Sequence, residues 1–342
     1  MQLKFGKCLF FMAAVCSTWM NTVCADPGVD ITLTFDEFLL PHAYLQLNET
    51  PMVLNVDTGS SFAFHLFPDQ IEAIGARKSH QTRHTVDAAG NMQENTLYTA
   101  KDLSLNGIKL GETTIVPLQQ WGLMMSGVGE PPIAPVIGLA AFKGKVLALD
   151  YRNKVMRVAE TMPEAWIAGG RFLDYPFVEA PEGLIFNVKH AGQLFRLVLD
   201  TGASVSAIWN ERLTSTFRED CAVINPELEY EGCQAVRLHA ISSNGTRDPF
   251  TAVATTGNFD HMEGVDGLLG NNFLESRTVV IDFARRKLWV SAPPPPDAAA
   301  ARPPPKAARP GPSVARVACR QNTTATPACT PCVRCCDDRR AL

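Results

Sequence analysis

The sequence repeats one order of features in its two halves, and this repeat limits the fold more than any other property of the chain. Each copy has two apolar stretches joined by a turn, and the second stretch ends in Asp-Thr-Gly, at Asp57-Thr58-Gly59 and at Asp200-Thr201-Gly202. Each copy later has two apolar residues followed by glycine, at Val136-Ile137-Gly138 and at Leu268-Leu269-Gly270. Self-similarity of this kind predicts one structural unit that is built twice.

An aspartate follows each of these glycines after the same interval of 12 residues and is expected to begin a short strand. The two predicted strands, Asp150 to Val158 and Asp282 to Val290, also match in their aromatic, basic and valine positions. Apolar and β-branched residues alternate with turn residues throughout, and few stretches show a helical period. The sequence therefore predicts an all-β fold of two lobes, each of about 130 residues, which is an ordinary domain size.

Composition marks the ends of the folded body. Lys4 and Lys7 precede an apolar run, and small residues occupy Val23 and Ala25, which together are typical of a secretory signal peptide. The last 51 residues are rich in proline and alanine and cannot bury a core. The predicted segments are a signal peptide (1–25), an N-terminal β lobe (26–160), a connection (161–174), a C-terminal β lobe (175–291) and a disordered tail (292–342).

Cysteine usage agrees with export. Cys221 and Cys233 lie close together in the body and are predicted to form a disulfide. Five further cysteines crowd the tail; they could form disulfides, crosslink to a partner, or bind a metal through Cys329-x-x-Cys332-x-x-Cys335. No metal site is expected in the body, and no cofactor.

Charge argues against nucleic acid as a partner. The chain carries a net charge of −4. The tail is basic, so the folded body is more acidic than the whole chain. Phosphate binding needs positive surface.

Two Asp-Thr-Gly loops in repeated contexts indicate chemistry. A single copy is explained by an aspartate that caps a turn. Two copies related by a pseudo-twofold axis would bring Asp57 and Asp200 face to face, where both carboxyls cannot ionise and one proton is shared. One carboxylate could then activate water while the other donates to a carbonyl. This is the chemistry of amide hydrolysis without a metal.

These motifs resemble those of the pepsin and retropepsin superfamily of aspartic peptidases. Asp57-Thr58-Gly59-Ser60-Ser61 resembles the pepsin-like form, and Asp200-Thr201-Gly202-Ala203-Ser204 is similar to the retroviral form. The resemblance implies a bilobal pepsin-like fold with catalytic Asp57 and Asp200. It also implies supporting roles for the other loop residues, which are Thr58, Gly59, Ser60, Thr201, Gly202 and Ala203.

Two departures of the chain from the pepsin-like pattern concern the active-site loops and the flap. Ser60 could donate a hydroxyl hydrogen bond to the first carboxylate, whereas Ala203 cannot do so for the second. The predicted flap, a hairpin with Ala88, Ala89 and Gly90 at its turn, contains no tyrosine, and Tyr98 comes too late to replace one. No role is predicted for the histidines, which lack metal-ligand spacing.

Three functions remain open on the sequence. The leading one is a monomeric, exported endopeptidase that binds a polypeptide substrate in an extended conformation. The second is a binding protein on the same fold with little or no catalysis. The third is a surface-attached module whose cysteine-bearing tail is the functional part.

Overall fold

The computed structural model describes residues 28–86, 90–120, 133–215, 217–224, 232–256 and 262–292. Strands dominate this part of the chain. The first half contains β1 (Val29–Phe35), β2 (Pro41–Leu47), β3 (Thr50–Asp57), β4 (Phe64–Leu66), β5 (Arg77–Val86), β6 (Met92–Leu105), β7 (Ile108–Pro117), β8 (Val136–Gly138), β9 (Val146–Asp150) and β10 (Val155–Ala159). The described helices of this half are α1 (Pro68–Ala73) and the short 3-10 helices Leu139–Phe142 and Glu164–Trp166.

The second half contains β11 (Phe172–Tyr175), β12 (Phe177–Ala180), β13 (Gly183–His190), β14 (Gln193–Leu199), β15 (Ala207–Trp209), β16 (Glu219–Asp220), β17 (Gln234–Ile241), β18 (Arg247–Thr255), β19 (Gly267–Leu269), β20 (Thr278–Asp282) and β21 (Lys287–Ser291). Its described helices are α2 (Asn271–Leu274) and the 3-10 helices Asn210–Arg212 and Cys221–Val223. Most of β11 lies in the segment 161–174 that was predicted to be a connection.

Strand order repeats between the halves. The first lobe has the order β1-β2-β3-β8-β4-β7-β6-β5, and the second has β12-β13-β14-β19-β15-β18-β17-β16. The strand that leads into each Asp-Thr-Gly is paired in parallel with the later apolar-apolar-glycine strand, β3 with β8 and β14 with β19. The predicted all-β, bilobal fold class is confirmed by this repeated topology.

A shared sheet joins the two lobes. Its order is β11-β21-β20-β9-β10-β1, so each half contributes three strands in mirrored sequence. The central pair is β9 with β20, antiparallel, with Ala148 opposite Val280. Buried hydrophobic residues from both lobes and from this sheet form one large cluster.

Asp150 and Asp282 do not begin strands, and this prediction was wrong. Asp150 ends β9 and Asp282 ends β20, and each is followed by a tight turn into the next strand. The Oδ1 atom of Asp150 accepts a hydrogen bond from the backbone N–H of Asn153 at 2.9 Å, and Asp282 accepts one from Arg285 at 2.9 Å. Aspartate favours turns because its side chain satisfies the backbone locally. The two aspartates do occupy equivalent positions, and each lies at the start of a hairpin turn.

The predicted disulfide between Cys221 and Cys233 is present. It joins a 3-10 helix to the residue before β17 and packs beside Val205, Ala235 and Val253 in a small satellite core.

A buried ion pair fixes the second lobe to the shared sheet. Arg277, just before β20, donates through Nη1 and Nη2 to the carboxylate of Asp248 on β18, at 3.1 Å for the Nη2 bond. The Tyr175 hydroxyl of β11 donates to the same carboxylate at 2.9 Å. The Arg277 guanidinium also lies 4.3 Å from the ring centre of Phe273. Buried charges need such complete pairing.

Candidate active site

Both Asp-Thr-Gly loops begin where a buried strand ends. Asp57 is the last residue of β3 and lies opposite Gly138 of β8. Asp200 follows β14, and its backbone N–H donates to Leu269 of β19 at 3.0 Å. In both lobes, pairing with a second buried strand therefore fixes the position of the aspartate backbone at the end of the sheet.

The glycine of each apolar-apolar-glycine element makes room for the loop that crosses it. A Cβ at Gly138 would lie 2.1 Å from the backbone oxygen of Phe62, and one at Gly270 would lie 2.6 Å from that of Val205. A larger residue would push the loop backbone out of place. The repeated glycine therefore has a direct structural cause.

The two loops are tied to each other by reciprocal threonine hydrogen bonds. The Thr58 N–H donates to Thr201 Oγ1 at 3.0 Å, and the Thr201 N–H donates to Thr58 Oγ1 at 3.1 Å. Each hydroxyl then donates across to the other lobe, Thr58 to the oxygen of Leu199 at 2.8 Å and Thr201 to that of Val56 at 2.5 Å. Both threonines are buried, so these groups have no competing water.

The glycines after the threonines bring the two aspartates together. A Cβ at Gly59 would lie 2.7 Å from Cγ of Asp200, and a Cβ at Gly202 would lie 2.8 Å from Cγ of Asp57. Each glycine also donates its N–H to the aspartate of its own loop, at 2.8 Å for Gly59 and 2.9 Å for Gly202. Any side chain at these positions would occupy the space of the opposite carboxyl.

The carboxyls of Asp57 and Asp200 are close enough to hydrogen-bond to each other. Burial raises the pKa of Asp57 above its ordinary value, and backbone hydrogen bonds from Gly59 and Ser60 oppose that rise. Burial raises the pKa of Asp200 further, since the neighbouring charge of Asp57 adds to it. Such a pair holds one proton over a range of pH. Both residues keep some solvent exposure.

The surroundings of the two aspartates differ. The sequence predicted the difference between Ser60 and Ala203, but not the partner of the Ser60 hydroxyl. The Ser60 backbone N–H donates to Oδ1 of Asp57 at 3.2 Å. The Ser60 hydroxyl, however, forms its hydrogen bond with Nε2 of His65 at 2.9 Å. Ala203 has no hydroxyl, as the sequence already showed. His65 was given no role, because its partner becomes visible only when the chain folds back through β4.

A second polar contact supports the other loop. Asn271, directly after Gly270, donates through Nδ2 to the backbone oxygen of Thr201 at 2.9 Å. The Tyr151 hydroxyl donates to Oδ1 of Asn271 at 2.6 Å. Burial and the charge of Asp200 raise the pKa of Tyr151, so its hydroxyl stays a donor.

The sequence held a signal for this contact that went unused. Leu139 follows Gly138, and Phe283 follows Asp282, at the positions that Asn271 and Tyr151 occupy in the other copy of the repeat. Leu139 and Phe283 are both apolar. The polar pair of Tyr151 and Asn271 is therefore present only beside the second loop.

The hairpin of β5 and β6 lies in the predicted flap region. Val86 is paired with Met92, and both are exposed. Ala88 and Ala89 lie outside the described residues, and Gly90 has a φ of 85°. Tyr98 is partly buried and packs against the main core.

Arg83 of β5 contacts the first loop. Its guanidinium lies 5.3 Å from the ring centre of Phe62. A cavity of about 220 Å³ adjoins this contact and is lined by both lobes, including Ser61, Lys143 and Glu179.

Neither a metal nor a membrane-spanning helix is indicated in the part of the chain that the structure describes. No group of three or more His, Cys, Asp or Glu side chains there could hold a metal ion. No helix there is long and apolar enough to cross a membrane. The predicted signal peptide (1–25) and the tail cysteines, for which a metal site was one prediction, lie outside the described residues.

Comparison with known proteins gives a likeness at the level of structure. No family model and no curated protein sequence matches the chain. The chain is similar to the aspartic proteinase from Irpex lacteus, with 12% identity and a TM-score of 0.49 over 78% of this chain and 97% of that chain. It is also similar to basic 7S globulin from soybean, with 12% identity and a TM-score of 0.44 over 78% and 95% of the two chains. Neither likeness is close enough to assign a function.

Proposed function

We propose that this protein is an aspartic endopeptidase in which Asp57 and Asp200 hydrolyse a peptide bond with water. The observation that supports this most directly is the contact between the two carboxyls, one from each lobe. An aspartate that only stabilised a turn would not need a second carboxylate beside it, because two buried carboxyls repel each other when ionised.

The unequal environments of the two carboxyls indicate which one is protonated and which one is charged. Asp200, whose pKa is raised further, carries the shared proton. Asp57 is the charged member, since its pKa is raised less and its charge is what raises that of Asp200 further.

The reaction then follows general acid–base chemistry. Asp57 takes a proton from water as the water oxygen bonds to the substrate carbonyl carbon, and Asp200 protonates the carbonyl oxygen. The resulting diol collapses when Asp57 returns its proton to the amide nitrogen. The C–N bond breaks, and Asp200 recovers a proton from a hydroxyl of the diol.

The substrate is a polypeptide in an extended conformation, which the cleft between the lobes and the β5–β6 hairpin would enclose through backbone hydrogen bonds. The protein acts as a monomer, because one chain supplies both aspartates. The Cys221–Cys233 disulfide supports an oxidising, exported location.

The decisive experiment compares cleavage of an unfolded protein by the full chain and by two variants between about pH 3 and 7, the range in which a coupled dyad holds one proton. Asp57→Asn and Asp200→Asn should each reduce kcat by at least about 10³-fold, because either change removes the acid–base pair. Asp102→Asn, at an exposed position of β6, is the matched control and should keep wild-type activity. Full activity in either dyad variant would contradict the mechanism.

The same assay separates the second candidate, a peptide-binding protein. The lack of tyrosine among the described hairpin residues near the turn favours it, since a looser hairpin would clamp a substrate less well. A wild type that binds an extended peptide and never cleaves it would establish this reading. The third candidate, a module that acts through its tail, would be supported if deletion of residues 292–342 abolished surface attachment and the body had no activity.

A further inference from the structure

His65 is a buried histidine beside the candidate catalytic loop. It lies in the middle of β4 and is 6% exposed, and Ser60, with which it forms a hydrogen bond, is 4% exposed. Burial lowers the pKa of His65 to about 4, so the imidazole is neutral over most of the relevant pH range. Burying a polar side chain costs free energy unless it is hydrogen-bonded, and the Ser60 hydroxyl supplies that partner.

The surrounding contacts fix the orientation of the imidazole. The His65 and Phe62 rings meet edge to face with their centres 5.5 Å apart. Strand pairing places Val136 of β8 and Val116 of β7 opposite His65. Two charged groups are linked to this cluster, Asp57 through Ser60 and Arg83 through Phe62.

We infer that His65 is a positioning residue for the proposed reaction: it holds Ser60, and through Ser60 it holds the carboxylate of Asp57. This inference rests on the proposed function. Ser60 has two links to the site, its N–H to Asp57 and its hydroxyl to His65. The bond to His65 restricts the rotation of the Ser60 side chain, beside the backbone bond from the Leu139 N–H, and so keeps the Ser60 N–H on the carboxylate. The second lobe has Ala203 at the equivalent place, so only the first aspartate is held in this way.

The experiment removes the hydrogen bond and then restores it. His65→Leu keeps the approximate volume and removes both ring nitrogens, whereas His65→Gln keeps a polar group near the position of Nε2. His65→Leu should lower kcat about tenfold or more, with KM changed less than twofold, because a small misplacement of a reacting group costs rate rather than binding. His65→Gln should recover most of that loss.

The pH profile gives a readout that a purely structural role would not change. The Ser60 N–H lowers the pKa of Asp57, so a loosened Ser60 should raise it. The acid limb of kcat/KM should therefore move to higher pH in His65→Leu. Phe64→Leu, a neighbouring core change in the same strand, should lower Tm and leave kcat and the acid limb unchanged at 25 °C.

A double-mutant cycle tests the link through Ser60. Ser60→Ala should reproduce the kinetic effect of His65→Leu, and the double variant should be no slower than either, since one interaction is lost in all three. Additive effects would overturn the inference, as would a folded His65→Leu with a wild-type kcat and profile.

Failure of the proposed function can be told apart from failure of this inference. NMR titration of the Asp57 carboxyl carbon needs no turnover, and the Asp57 pKa should be higher in His65→Leu than in wild type. An inactive wild type that shows this shift would overturn the peptidase assignment and keep the His65 link. An active wild type without the shift would overturn the link alone.

Discussion

At the scale of single residues, Asp57 and Asp200 should make the folded protein less stable at neutral pH. Burial raises both pKa values above the ordinary 3.8, and the charge of Asp57 raises that of Asp200 further. At a pH between the unfolded and the folded pKa, the native state binds more protons than the unfolded state, so the free energy of unfolding falls as pH rises through that window. Below the unfolded pKa this penalty disappears.

We therefore predict that Asp200→Asn stabilises the protein, and does so more at pH 7 than at pH 3.5. The variant removes a carboxyl that must take up a proton on folding, and this uptake costs more free energy as pH rises above the unfolded pKa. The difference in Tm between variant and wild type should therefore grow by several degrees over that interval. Thermal unfolding of both proteins across pH measures it, with Asp102→Asn as the control for loss of a charge. A gain that shrinks with rising pH would contradict the assigned direction of the pKa shifts.

At the scale of elements, the sequence could predict the loops more fully than their surroundings. The sequence was sufficient to recognise the two Asp-Thr-Gly triplets and the two apolar-apolar-glycine elements. Each consists of consecutive residues and occurs twice in the same order. The Ser60–His65 and Tyr151–Asn271 contacts were not predicted. They join residues whose approach depends on strand pairing. Nothing in the local sequence marks a partner for His65, and the only signal for the other contact is that Tyr151 and Asn271 replace Phe283 and Leu139 between copies of the repeat. The turns at Asp150 and Asp282 were missed because spacing alone does not separate a strand start from an aspartate-capped turn.

The reciprocal threonine bonds give a prediction for the pair of loops. Thr58→Val removes the hydroxyl and leaves the Thr201 N–H and the Leu199 oxygen buried without that partner, which costs about 1–3 kcal/mol for each group. Denaturant unfolding should show a loss of a few kcal/mol, and kcat should fall because the loops separate. Thr58→Ser keeps the hydroxyl and should remain near wild type; equal losses in the two variants would show that the methyl group matters and the hydrogen bonds do not.

At the scale of the whole molecule, the Arg277–Asp248 pair connects the second lobe to the shared sheet. Arg277→Met leaves a buried carboxylate without its counter-charge and should cost about 3–5 kcal/mol at pH 7. Adding Asp248→Asn should recover part of this loss, since the unpaired charge is gone. Chemical denaturation of the single and double variants measures both effects. A double variant less stable than Arg277→Met would show that the amide fits this site worse than an unpaired charge.

The central pairing of β9 with β20 determines how late in synthesis of the chain the shared sheet can be completed. Ala148 and Val280 lie opposite each other although 132 residues separate them in the chain. A protein made from its N-terminus therefore exposes the Asp57 loop long before the strand that completes the shared sheet, and long before Asp200, has been synthesised. Neither half contains a complete dyad. The proposed hydrolytic activity would therefore begin only when the chain has been synthesised as far as β20 and β20 has paired with β9.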